Sequence, residues 1–194
     1  MSEPARRKAV YEDLFTIPEN MTGEIIDGEL VVTPRPSRKH IYTTSVLGAR
    51  VTVPYQFGEG EGPGGWVILI EPEIGLGEDT LVPDLAGWRE ERYPDEEGTN
   101  WISVPPDWVC EILSPSTRRR DRMKKMPIYA RYGIPFIWLI DPIDRTLEVF
   151  RLKEGEWVVA GLHEGSARVR AVPFIDIELN LSDLWREGRN MQPS

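Results

Sequence analysis

Apolar positions recur along the chain with two different spacings. In GEIIDGELVV (23–32) two short apolar runs flank Asp27-Gly28, a pair that tolerates the positive φ of a type I′ turn, and this predicts a β-hairpin. From Ser37 to about Phe57, Ile41, Val46, Leu47 and Val51 suit one face of a helix, and Pro54 is expected to kink or end it. YEDLFTIPEN (11–20) reads as a short helix stopped by Pro18, and the glycine-rich GEGEGPGG (58–65) as a loop. Four apolar runs with strand character follow: WVILI (66–70), TLVPDLAGW (80–88), DWVCEIL (107–113) and PFIWLI (135–140). Between the last two, SPSTRRRDRMKKMPIYARYG (114–133) reads as a helix, with Ser116 or Thr117 as its cap, a bend at Pro127 and an end at Gly133. TLEVFRL and EWVVAGL predict a hairpin around Lys153-Glu154-Gly155, and LSDLW (181–185) a small helix. This order predicts an α/β fold, a mixed central sheet flanked by helices. No internal repeat of 20–50 residues is present, and one domain over residues 1–194 suffices.

Composition narrows the classes. Of 194 residues 40% are apolar, with seven Trp, six Tyr and five Phe, enough to build a core and exclude wholesale disorder. The net charge of -9 argues against a chain that coats nucleic acid along its whole surface, while leaving room for a local basic patch. One cysteine allows no internal disulfide, and no Cys/His cluster offers a zinc site. The opening MSEPARRKAV lacks a signal core, and no stretch approaches the roughly 18 apolar residues of a membrane span. The expectation is a soluble protein in a reducing cytoplasm.

Strand alternation isolates two carboxylates. In WVCEIL it places Trp108, Cys110 and Ile112 on one face and Val109, Glu111 and Leu113 on the other. A Glu inside so apolar a run is costly unless paired, hydrogen-bonded or bound to a cation. Asp84 interrupts LVPDLAGW in the same way. Each reads either as a functional acid or as a strand-end acid or half of a buried ion pair. The following helix carries RRRDRMKK (118–125), six basic side chains in eight, in an acidic chain. Arg118, Arg119 and Arg120 fall at the helix start, where the macrodipole disfavours cations. The run reads either as a set of phosphate contacts or as a solvated face pairing with acidic loops such as RYPDEEG. Asp121, Lys125 and Tyr129, spaced i, i+4, i+8, share one helix face, and Lys124 points about 100° away. Cys110 reads as a packed core thiol.

These residues resemble a known family. Asp84 in VPD, Glu111 in EIL and the run SPST…DRMKK…Y…GIP…WLID, together with GEIIDGELV, the PSRKH segment ending in His40 and PPDWVCEILSPST, are similar to the putative restriction endonuclease family of the PD-(D/E)xK nuclease superfamily. The similarity covers roughly residues 11–152 as a core, followed by a β-rich tail over 153–194. It implies a restriction-endonuclease-like fold with an N-terminal β-hairpin and a β-rich C-terminal extension.

By the same resemblance Asp84 matches the Asp of PD, and Glu111 the acid of (D/E)xK. Both would hold Mg²⁺ or Mn²⁺, joined by the carbonyl of Ile112. The position of the superfamily's lysine is Leu113, so the basic residue is assigned by D-x-x-x-K-x-x-x-Y to Lys125, with Lys124 the lesser choice. Glu71, near the end of WVILI, reads as a further metal ligand or as an exposed strand-end acid. His40 reads as a group near the scissile bond or as a hydrogen-bonded structural histidine. Arg118, Arg119, Arg120 and Arg122 would contact substrate phosphates. The implied activity is metal-dependent endonucleolytic phosphodiester hydrolysis, with DNA the favoured substrate, by a homodimer with no membrane partner. Two alternatives stand beside it: a non-catalytic nuclease-fold module that binds nucleic acid or another partner, and a metal-dependent hydrolase of a small phosphate compound.

Overall fold

A computed structural model describes residues 7–60, 62–94 and 98–185. The first hairpin forms as β1 (Met21–Ile26) and β2 (Glu29–Pro34). Asp27 and Gly28 supply its turn with φ of 52° and 76°, the geometry that makes an Asp-Gly pair a hairpin signal. Helix α1 (Arg38–Tyr55) starts at Ser37, whose side chain accepts the amide of His40, and Pro54 sits in its last turn. Strand β3 (Trp66–Ile70) is followed by β4 (Ile74–Leu76) and β5 (Asp79–Leu81), which pair with each other and, through Ile25 and Thr80, with the hairpin. The result is a four-stranded sheet in the order β2-β1-β5-β4.

TLVPDLAGW is therefore not one strand. β5 ends at Leu81, residues 82–84 break the run, and β6 (Leu85–Arg89) begins in a different sheet. Pro83, which has no amide to give a ladder, sits in that break. Strands β3, β6, β7 (Trp108–Ile112), β8 (Phe136–Asp141), β9 (Thr146–Lys153) and β10 (Glu156–Glu164) make the central sheet, ordered β10-β9-β8-β7-β6-β3. Only β7 and β8 run parallel, as the intervening helix requires, so the sheet is mixed. The β9–β10 turn is Glu154-Gly155, with φ of 53° and 82°. The tail adds a further hairpin, β11 (Arg168–Ala171) with β12 (Phe174–Asn180), which the sequence pattern does not mark.

The expected helix over 114–133 is composite. α2 (Arg118–Arg120) runs into a π-helical segment, Asp121–Lys125, and then into α3 (Met126–Arg131). Pro127 offers no amide to the carbonyl one turn back, so the irregularity appears as a widened turn just before the proline rather than as a simple bend at it. Thr117 precedes the helix but makes no capping bond; Gly133 closes the far end with φ of 71°.

Alternation along the strands divides the core. Trp108, Cys110, Ile112, Trp138 and Ile140 pack against α1 and β12, where Phe174 touches the rings of Tyr55, Trp66, Trp108 and Trp138. Val109, Leu113, Ile137 and Leu139 face the other way, against α3 and the four-stranded sheet. Glu111 points to that second side, into the layer between the two sheets and the composite helix. No helix among the described residues is long and apolar enough to cross a membrane.

Candidate active site

Register brings the two strand acids together. β6 pairs antiparallel with β7, with Leu85 opposite Cys110, so Asp84 lies one step before the ladder, at the level of Glu111. Asp84 is fixed at both oxygens: Oδ2 accepts the amide of Ile112 at 2.6 Å, and Oδ1 lies 2.5 Å from Nε2 of His40. His40 reaches it from the first turn of α1.

The composite helix brings the rest. Asp121, Lys125 and Tyr129 do share a face, and the widened turn buries Asp121 and Lys125. Lys125 Nζ lies 2.7 Å from Glu111 Oε1 and 2.8 Å from Glu24 Oε1, and donates to the carbonyl of Val82 at 3.3 Å. Tyr129 donates to Glu111 Oε1 at 2.6 Å. Lys124, by contrast, is exposed and pairs with Asp27 in the hairpin turn.

Glu24 belongs to the site although sequence reasoning does not single it out. Its signal is of the same kind as that of Glu111: strand alternation in GEIIDG puts it beside apolar positions, where a solvated acid would be out of place. It is 3% exposed, and its Oε1 also accepts the amide of Val82 at 2.9 Å. The hairpin is thereby tied to the residues just before Asp84.

These groups line a cavity of about 420 Å³ between the hairpin, the start of α1 and the composite helix. Asp84, Glu111, Ile112, Lys125, His40, Glu71 and Arg120 all border it. Glu71 is exposed at its edge, and its amide donates to the carbonyl of Asp84 at 3.1 Å. Of the arginines in the basic run, Arg120 alone lines the cavity, bonded to Thr33 and 3.7 Å from Glu24. Arg118 pairs with Asp141 at 3.0 Å, Arg122 grips Glu148 with both terminal nitrogens, and Arg119 is exposed. Two of the four expected phosphate contacts are thus engaged with acids away from the cavity. Residues 95–97 of the acidic RYPDEEG loop lie outside the described residues.

The floor of the cavity is short of positive charge. Glu24, Asp84, Glu111 and Asp121 face Lys125 and Arg120. Burial pushes the Glu111 carboxyl well above the usual carboxylate range, against the pull of Lys125, and neighbouring Asp121, Asp84 and Glu24 add to the rise. Burial likewise raises Asp121, although Lys125 opposes it. For Lys125 burial disfavours the charged form, but Glu111, Glu24 and Asp121 together outweigh it and raise the ammonium above its ordinary value. Tyr129, buried beside Glu111, is pushed well above its usual value and stays a hydrogen-bond donor.

The groups at the cavity that could offer donors to a cation, the carboxylates of Asp84 and Glu111 and the carbonyl of Ile112, are all oxygen. Among the described residues no group of three or more His, Cys, Asp or Glu side chains is arranged to hold a metal ion. An open, oxygen-only arrangement suits a hard cation that keeps several waters and completes its shell with substrate phosphate.

The family model Uma2, described as putative restriction endonuclease, matches residues 11–182. A crystal structure of a putative nuclease belonging to DUF820 from Anabaena variabilis superposes with a TM-score of 0.73, at 24% identity over 91% of this chain and 97% of that one. The fold is accordingly the restriction-endonuclease-like α/β fold. Among curated proteins none matches.

Proposed function

We propose that this chain, which belongs to the Uma2 putative restriction endonuclease family, is a divalent-metal-dependent endonuclease that hydrolyses phosphodiester bonds in nucleic acid, DNA foremost. The observation that carries this reading is the gathering of four carboxyl groups, Glu24, Asp84, Glu111 and Asp121, against Lys125 and Arg120 at one cavity. Carboxyl groups so crowded and buried disfavour their charged forms, as the raised Glu111 and Asp121 show, and a bound cation would relieve that cost.

Asp84, Glu111 and the Ile112 carbonyl would hold Mg²⁺ or Mn²⁺, with Glu71 at the edge as a further oxygen donor. When bound, the cation lowers the pKa of a coordinated water and offsets charge on the attacked phosphate. The protein's own groups prepare that site. His40 and the Ile112 amide fix the two oxygens of Asp84, and Tyr129 and Lys125 fix Glu111. Lys125 spends its donors on Glu24, Glu111 and Val82, and its raised pKa keeps it charged. It therefore acts as a fixed positive charge beside the reacting phosphate and not as a proton donor. Arg120, bordering the same cavity, supplies a second fixed cation.

Saturation of Lys125, with Leu113 buried at the superfamily's lysine position, is the observation that favours the other reading, a non-catalytic nuclease-fold module. Nicking of supercoiled plasmid discriminates the two. The parent protein is expected to nick with Mg²⁺ or Mn²⁺ and not with EDTA, and the Asp84→Asn/Glu111→Gln variant to be inactive while remaining folded by circular dichroism. Plasmid binding without nicking by the parent would establish the module instead.

A further inference from the structure

Among the described residues several cations have no acid partner, and four of them, Arg35, Arg38, Lys39 and Arg119, border the cavity or stand next in sequence to residues that do. Arg35 borders the cavity, is exposed, and among the described residues bonds to the Glu19 carbonyl at 3.4 Å and to no acid. Arg38 and Lys39 are exposed in the first turn of α1, between Ser37 and His40, both of which line the cavity. That turn holds no acidic residue, and cations there work against the helix dipole. On the other element that edges the cavity, Arg119 is exposed beside Arg120. None of Arg38, Lys39 and Arg119 has a hydrogen bond or ion pair among the described residues, whereas Arg118, Arg120 and Arg122 all do.

The cavity wall also says what kind of recognition is possible. Ser114, Ser116 and Thr117 present a cluster of hydroxyls to it, and among the described residues no Phe, Tyr or Trp side chain borders it. The described wall of the cavity therefore offers no broad stacking platform for bases, while its hydroxyls can bond phosphate oxygens.

We propose that Arg35, Arg38 and Lys39, with Arg119, form a phosphate-tracking rim, so that the substrate is a nucleic-acid strand gripped by its backbone without reading of its bases. This rests on the nucleic-acid reading above. The rim differs from the basic run that the sequence alone suggests, because most of that run is consumed by internal acids. A strand held this way delivers its phosphates one after another to Asp84 and Glu111, and sequence preference has to come from elsewhere.

Fluorescence anisotropy with labelled 20-base-pair duplexes of two unrelated sequences, in Ca²⁺ from 50 to 200 mM salt, tests the rim. Removing one phosphate-neutralising cation flattens the log–log salt slope by ~0.9, so Arg35→Ser/Arg38→Ser/Lys39→Ser should flatten it by about 2–3 for both duplexes. Arg118→Ser/Arg122→Ser, which removes the same type of charge from paired positions, should flatten it by less than half as much. Equal slopes for the triple variant and the parent, equal flattening in the two variants, or an effect confined to one sequence would each overturn the rim. Plasmid nicking keeps the two readings apart. A parent that nicks but whose binding ignores the triple variant overturns the rim alone, and one that neither binds nor nicks overturns both.

Discussion

The ammonium of Lys125 lies 2.7 Å from Oε1 of Glu111, and both side chains are almost wholly withdrawn from solvent. A lysine two residues after Glu111 on the same strand face would serve the same space, but that position is Leu113, packed into the apolar layer. The charge comes instead from the composite helix. The widened turn at Asp121–Lys125 sets Lys125 facing the strand, and the buried hairpin acid Glu24 holds it from the other side.

Lys125→Ala removes the partner shared by two buried carboxylates. Breaking such an arrangement costs about 3–5 kcal/mol, so the urea midpoint should fall clearly. Nicking should fall by about 10²-fold or more, the scale of losing one electrostatic group. The metal-induced stabilisation should persist, because Asp84 and Glu111 remain. Lys124→Ala, at an exposed pair with Asp27, should leave both readouts near the parent's. Parental nicking by Lys125→Ala would remove Lys125 from the catalytic assignment.

Mg²⁺ or Mn²⁺ at millimolar concentration should raise the melting temperature, since a cation bound only by the folded state stabilises it by about 2.7 kcal/mol at a hundredfold excess over Kd. Asp84→Asn should abolish most of the rise. Differential scanning fluorimetry reads both, and a metal-insensitive parent would count against the cation site.

Glu24→Gln tests the residue that joins the hairpin to the site. The amide can still accept from Val82, but the charged bond to Lys125 is removed, a change of about 1.5–3 kcal/mol in stability. Nicking should decline with it, because Lys125 then keeps Glu111 and the Val82 carbonyl but loses one of its two directly paired acids. Unaltered urea midpoint and unaltered nicking together would show that Glu24 does neither.

Asp79 offers a pH test away from the cavity. It accepts the amide of Asp27 at 2.7 Å and so anchors the hairpin turn, and burial raises its carboxyl above the usual range. A raised carboxyl binds its proton in the folded state at pH values where the unfolded chain has released it. Stability is therefore lost as pH rises from the ordinary Asp value through the raised one. Asp79→Asn keeps the acceptor and removes that loss. Its stability relative to the parent should improve between pH 4 and pH 7, and urea midpoints showing a constant difference across that range would contradict this.

Much of the architecture is legible in the sequence because it depends on neighbours in the chain. Asp27-Gly28 marks its turn through φ alone, the alternation from Trp108 to Leu113 sets which side chains share a face, and helix spacing puts Asp121, Lys125 and Tyr129 together even across a widened turn. The alternation also sets Asp84 and Glu111 apart, and the family resemblance adds the roles expected of them. What periodicity cannot supply is the partner. That Asp84 meets Glu111 depends on the β6–β7 register, and that it also meets His40 depends on where α1 docks. Glu24 reaches Lys125 only because the hairpin folds over the composite helix, and Pro83 divides a run that hydropathy alone reads as continuous. The arginine run shows the same limit from the other direction. A sequence counts its charges, but only the tertiary structure, by placing Asp141, Glu24 and Glu148 against three of them, decides which cations are already neutralised and which still face solvent.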